Sequence, residues 1–138
     1  MKNFFILSPA YNDWQSLDRL LLEINKRIKK INGNFKIIII NDFSEKKHSI
    51  KFKRFKNISN IEILNLKKNI GSQKAICLGL KYLLKYRKDS IITIIDSDGE
   101  DDPSKIKKII KLSIDNKDSI ITANRLSRRE SFFLRSLN

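Results

Sequence analysis

Residues 90–103 read SIITIIDSDGEDDP. The run from Ile91 to Ile95 is β-branched throughout, as expected of a strand buried on both faces of a parallel sheet. It ends abruptly in acid, at Asp96, Asp98, Glu100, Asp101 and Asp102, and Pro103 then opens an amphipathic run. Proline is tolerated in the first turn of a helix, so the stretch reads strand, acidic turn, helix. Residues two apart on an extended chain point the same way, so Asp96 and Asp98 would face one ligand together. Crowded carboxylates repel one another unless a cation neutralises them, and hard oxygen ligands suit Mg²⁺ or Mn²⁺. Such a metal would neutralise a diphosphate as it leaves. A plain helix cap by Asp101 or Asp102 is the competing reading, but capping does not ask for so many acids directly after an Ile-rich strand. A calcium loop of the form D-x-D-G-x-D is set aside. It lacks the glutamate at the twelfth position, and a strand precedes it where a helix should be.

The same alternation extends outward from this stretch. Residues 4–8 read as a strand closed by Pro9. Residues 16–31 carry Leu17, Leu20, Leu21, Ile24, Ile28 and Ile31 at helical spacing, and Asn32, Gly33 and Asn34 form a stop. Residues 35–40 form a second buried strand, and the basic stretch 44–57 a short helix. Residues 61–66 are a third strand. Residues 72–86 are a helix with Ala75, Ile76, Leu80, Leu83 and Leu84 inward. After the strand at 90–95 come a helix over 103–116 and a fifth strand over 119–123. This order implies an α/β fold over residues 1–138 as one domain, with a mostly parallel sheet flanked by helices. Ligands of such sheets bind at the carboxyl ends of the strands.

Those ends carry the polar residues. Strand one runs into Pro9, Ala10, Tyr11, Asn12 and Asp13, and strand two into Asn41, Asp42, Phe43 and Ser44. Gly71 and Lys74 open the helix after strand three, and Arg125 follows strand five. An acid ending a buried strand needs a partner, so Asp42 serves either a nucleobase or ribose, or the turn at Ser44. Gly71 either lets the backbone approach a phosphate or simply starts a helix. Tyr11 and Trp14 either stack on a base or anchor loops. His48 reads as surface and Cys77, beside Ile76 and Leu80, as core.

The 138 residues carry a formal charge of +14, which points to anionic partners. Much of the lysine accompanies abundant Ile and Asn and reads as solvated surface. With a single cysteine no intrachain disulfide forms, which fits a reducing setting. The apolar run at residues 4–7 is too short for a signal peptide, and no segment approaches the ~18 apolar residues of a membrane span.

Together the strand-end motifs resemble family 2 glycosyltransferases. Pro9-Ala10-Tyr11-Asn12-Asp13 resembles the opening P-x-Y-N-E/D segment, and Ile40-Asn41-Asp42-Phe43-Ser44 the V-D-D-G-S segment. Asn69-Ile70-Gly71-Ser72-Gln73-Lys74-Ala75 resembles the N-x-G-x-x-x-A helix start. The stretch from Asp96 to Pro103 resembles the D-x-D segment of polyprenyl-phosphate-type members, and Asn124-Arg125 with Arg128-Arg129-Glu130 the arginine-bearing stretch beyond. Asn41 and Phe43 depart from the family's Asp and Gly. The resemblance implies a Rossmann-like GT-A fold whose acceptor half is missing here, and a general base beyond Asn138. It implies a donor site formed by Pro9, Ala10, Tyr11, Asp13, Asp42, Gly71, Lys74, Asp96, Ser97, Asp98 and Arg125. Mg²⁺ or Mn²⁺ would be held by Asp96, Asp98 and Glu100. The implied donor is a UDP- or GDP-linked sugar, and the acceptor a lipid phosphate or cell-envelope glycan. Residues 131–138 end the chain on an apolar, aromatic tail that suits a partner or membrane surface. The expected location is cytoplasmic, peripheral at the inner face of the membrane. Two alternatives remain: a nucleotide-binding fragment that transfers nothing, and a basic nucleic-acid-binding domain using Lys46, Lys47, Lys51, Lys53, Arg54 and Lys56. The acidic cluster argues against the second, and no nucleic acid partner is expected.

Overall fold

A computed structural model describes residues 2–48, 50–86, 90–116 and 119–123. Strands β1 (Asn3–Ala10), β2 (Asn34–Asn41), β3 (Asn60–Asn65) and β4 (Ile91–Ile94) alternate with helices α1 (Trp14–Ile28), α2 (Ser72–Tyr86) and α3 (Ile106–Asp115). The four strands pair in parallel in the order β3-β2-β1-β4. The chain therefore winds outward from β1 through β2 to β3, then returns to lay β4 on the other side of β1.

Helices cover both faces of this sheet, which is why β1 and β2 read as unbroken apolar runs. Phe4 and Ile6 of β1, with Phe35, Ile37 and Ile39 of β2, pack against Leu17, Leu21, Ile24 and Ile28 of α1 and Ile106 and Ile110 of α3. The alternate residues Phe5, Leu7, Ile38 and Ile40 face Ala75 and Leu83 of α2. Gly79 marks the closest approach on that side. A Cβ there would lie 2.5 Å from Leu7 Cδ1 and 3.0 Å from Ile40.

The structure corrects several expectations. Strand β1 continues through Pro9 to Ala10, in register with Ile40 and Asn41. Helix α1 begins two residues early at Trp14 and ends at Ile28. Ile31 still packs on the core, its N–H donating to Ile28 O at 2.9 Å. The stretch 44–57 holds one 3-10 turn, Phe52–Arg54; Ile50, Phe55 and Ile58 insert singly into the core and form no helical stripe. The last helix opens with a 3-10 turn, Pro103–Lys105, before α3.

On α2 the buried stripe is Ala75, Gly79 and Leu83 at four-residue spacing. One residue turns a helix by about 100°, so Cys77 lies exposed, not in the core, and Leu84 is 67% exposed rather than inward. Residues 119–123 form no strand. They stand off β4 across a groove of about 790 Å³, and Ile120 is 93% exposed.

Candidate functional site

The winding direction reverses between β1 and β4, the position where open α/β sheets bind ligands. A crevice of about 310 Å³ lies at the carboxyl ends of these strands. Pro9, Ala10, Tyr11 and Asp13 line one side, and Asp96, Ser97 and Asp98 the other; Asp42 and Ser72 complete it.

Pro9 explains why the strands part here. The parallel ladder between β1 and β4 closes with Ile95 N–H donating to Leu7 O at 3.1 Å. Its next rung would need an N–H at position 9, which proline lacks. The Pro9 carbonyl instead accepts from the buried Ser97 hydroxyl at 2.8 Å. That bond ties the acidic turn to β1 and sets Asp96 and Asp98 on either side of the anchor.

Hydrogen bonds within the turn separate its acids. Asp98 Oδ1 accepts from Glu100 N–H at 2.9 Å, and Asp101 Oδ2 from Asp96 N–H at 3.0 Å. Asp102 caps the turn at Pro103, as the competing reading expected, accepting from both the backbone N–H and the hydroxyl of Ser104. These bonds, the hydroxyl's first, hold its carboxyl below the usual carboxylate range. Past Gly99, whose φ is +83°, Glu100 lines the larger groove beside Asp101 and Asp102, away from the crevice. Of the expected three-ligand set, Asp96 and Asp98 share the crevice and Glu100 does not, and among the described residues no group of three His, Cys, Asp or Glu side chains is gathered to hold a metal. Asp96 and Asp98 still fit Mg²⁺ or Mn²⁺, which take one or two protein carboxylates and complete their shell with phosphate oxygens and water. The charge around the crevice favours a cation: among the described residues four carboxylates line it and no Lys or Arg does.

The other walls are latched to one another. Asn12, at φ 55°, accepts from Glu45 N–H at 2.9 Å through Oδ1, while its own N–H donates to Ser44 Oγ at 2.9 Å. Asp13 caps α1, accepting from Ser16 N–H at 3.1 Å. Trp14 is a buried anchor, its Nε1–H donating to Lys46 O at 2.7 Å, whereas Tyr11 stands half exposed at the crevice rim. His48 is exposed, as expected, and stacks obliquely between Trp14 and Phe52.

Asp42 is 3% exposed, and its partner within the chain is the turn before α2 rather than the turn at Ser44. Oδ1 accepts from Ile70 N–H and Oδ2 from Gly71 N–H, both at 2.8 Å. The turn at Ser44 is capped by Asn41 Oδ1 instead. Gly71 adopts φ +86°, a conformation suited to glycine. Its N–H is given to Asp42, and it does not line the crevice. Lys74 is exposed and likewise lines no part of it. Ser72, which does, went unnoticed in the sequence; its position directly after the turn glycine was the available signal. Arg125 and the residues after it lie outside the described residues.

Phe43 stands where the resembling motif has glycine, and its φ is +64°. A left-handed residue with a side chain costs about 1–2 kcal/mol, and glycine's extra chain freedom offsets about 0.5–1 of that. Phe43 is half exposed and loses little packing on truncation. Phe43→Gly is therefore expected to stabilise the protein by about 1 kcal/mol, read as a higher urea midpoint at unchanged slope.

The sheet order and the crevice at its switch point define the class: a Rossmann-like GT-A fold with a candidate nucleotide site at its strand ends. The family profile "Glycosyl transferase family 2" matches residues 5–138, and the chain belongs to that family. It is 25% identical over 130 residues to a Proteus mirabilis protein named undecaprenyl-phosphate 4-deoxy-4-formamido-L-arabinose transferase, covering 93% of this chain and 38% of that one. A Pseudomonas fluorescens protein of the same name is 27% identical over 132 residues, covering 94% and 37%. The chain thus spans under two-fifths of the length of these relatives. Among solved structures, S. aureus TarS 1–349 in complex with UDP-GlcNAc matches with a TM-score of 0.62 at 22% identity, covering 84% of this chain and 32% of that one. That likeness is one of fold. Among the described residues, no helix is long and apolar enough to cross a membrane.

Proposed function

We propose that the chain forms the donor-binding domain of a glycosyltransferase that moves a sugar from a nucleotide sugar to an acceptor. The acidic crevice at the β1/β4 switch point carries this reading. A nucleoside diphosphate offers a base and ribose for the Pro9–Tyr11 side and an anion that a bridging cation would reconcile with four carboxylates. In this reading Ala10, Tyr11, Asp13 and Asp42 meet the nucleoside. Asp96 and Asp98 hold Mg²⁺ or Mn²⁺ against the diphosphate, while Gly71 and Lys74 shape the neighbouring turn and Arg125 meets a phosphate. When bound, the metal supplies charge neutralisation for the departing diphosphate. The acceptor oxygen forms a bond to the anomeric carbon as the bond to the diphosphate breaks, and the nucleoside diphosphate leaves with the electron pair. Inversion at that carbon follows from a single displacement. A general base to take an acceptor proton is expected beyond the described residues.

The relatives' names support a polyprenyl phosphate as acceptor, with a cell-envelope glycan as the alternative. UDP, present in the TarS complex, is the carrier to test first, with GDP as the alternative. Either acceptor fits a cytoplasmic protein peripheral to the membrane.

Calorimetric titration with UDP and GDP, with Mn²⁺ and with EDTA, tests the proposal. One nucleotide is expected to bind with Mn²⁺ and to lose at least about tenfold in affinity on chelation. Binding of neither, with or without metal, sinks the donor reading. Steeply salt-dependent RNA binding in the same preparation would turn attention to the basic surface instead.

A further inference from the structure

Asp42 has a second duty that follows from its hydrogen bonds. A buried carboxylate is costly unless its oxygens are satisfied, and charge-assisted bonds to backbone N–H groups are among the stronger ones available. Here each oxygen takes a different donor, Ile70 N–H and Gly71 N–H, both at 2.8 Å. The two donors are consecutive, so the clamp fixes the peptide plane between them. That plane leads into Gly71 at φ +86° and then into Ser72, the first residue of α2 and part of the crevice lining. The end of β2 thereby sets where the start of α2 stands, across 28 residues of chain.

We propose that Asp42 is a positioning residue of the donor crevice, holding the β3–α2 turn so that Ser72 is presented to the bound nucleotide. This deepens the donor reading and rests on it. A side chain that only touched the nucleoside would act independently of Ser72. One that acts through the turn must be coupled to it. Weakening the turn from its other end should then reproduce the effect with Asp42 intact. Gly71→Ala does this: the added Cβ meets nothing within 4 Å, so it strains only the backbone at φ +86°.

The experiment combines amide hydrogen exchange on the free chain with UDP titration in Mn²⁺ of wild type, Asp42→Asn, Ser72→Ala, their double variant and Gly71→Ala. The Ile70 and Gly71 amides are expected to be protected in wild type and at least one of them to exchange freely in Asp42→Asn, whose side chain keeps a single acceptor oxygen, while Ile39 and Ile40 stay protected. UDP affinity should fall about tenfold in Asp42→Asn and by a similar factor in Gly71→Ala. Ser72→Ala should cost nothing further once Asp42 is changed. Multiplicative losses for the Asp42 and Ser72 variants, or a Gly71→Ala variant that binds UDP like wild type, overturn the proposal. Gly71→Ala also decides the matter if Asp42→Asn does not fold. Wild type that shows protected amides but binds no nucleotide overturns the donor reading while leaving the clamp itself intact.

Discussion

Asp98→Asn loses the metal-dependent part of nucleotide binding, on the order of 100-fold in affinity, with no measurable change in stability. The asparagine oxygen can still accept the Glu100 N–H that Asp98 Oδ1 now takes at 2.9 Å, so the turn keeps its shape. What disappears is charge. At 4 Å two unit charges interact by about 4 kcal/mol at an effective dielectric of 20. A diphosphate set among four carboxylates, with no lining Lys or Arg among the described residues, is repelled on that scale unless a cation intervenes. Asp96 and Asp98 lie closest in sequence to the Ser97 anchor, and with one neutralised the cation is held by a single carboxylate. Asp102→Asn is the control: it removes the same charge from the same turn, but Asp102 lines the other groove and should leave binding within about twofold. Titration of both variants with and without Mn²⁺ decides. Equal losses in the two would mean that net charge, not a metal at Asp98, governs binding.

Gly79→Val is expected to destabilise the fold by about 3 kcal/mol, against the roughly 5–15 kcal/mol that such domains possess. The first added carbon would already sit 2.5 Å from Leu7 Cδ1, and both Leu7 and Ile40 are fully buried in a sheet face with no slack. Valine adds two methyls to that collision and, being β-branched, gains little helix propensity to offset it. Gly79→Ala is milder: about 1 kcal/mol of helix propensity works against an overpacking cost of about 1–3 kcal/mol. Urea unfolding at constant slope measures both. A valine variant within about 0.5 kcal/mol of wild type would mean that α2 does not rest on β1 and β2 at this point.

The sequence carried much of this fold because its signals are local. Apolar runs marked four strands, and the 3.6-residue period marked the helices, Leu17 through Ile28 most clearly. Misreadings arose where a neighbour decides. Only alternate residues of a strand donate to a given side, so Pro9 did not stop β1; it stopped the pairing with β4. Residues 120–122 are β-branched like residues 91–95, yet a strand exists only where a partner edge is in reach. Cys77 and Leu84 were misplaced because a small shift in helical phase moves a side chain from core to solvent. At the site, the two-residue spacing made Asp96 and Asp98 legible, and both line the crevice. Glu100 looked equivalent until the turn sent it elsewhere. The clamp from Asp42 to residues 70 and 71 joins parts of the chain that no local pattern connects.

At Pro9 the sheet forgoes a single amide hydrogen, and cohesion is exchanged there for room. Almost any other residue would supply the donor that the β1–β4 seam lacks, letting the two strands zip further and bringing the acidic turn down over Ala10. Such a protein would be firmer and its mouth narrower. The proline therefore ties openness to fragility: the spot where the crevice opens is the spot where the sheet was prevented from finishing itself.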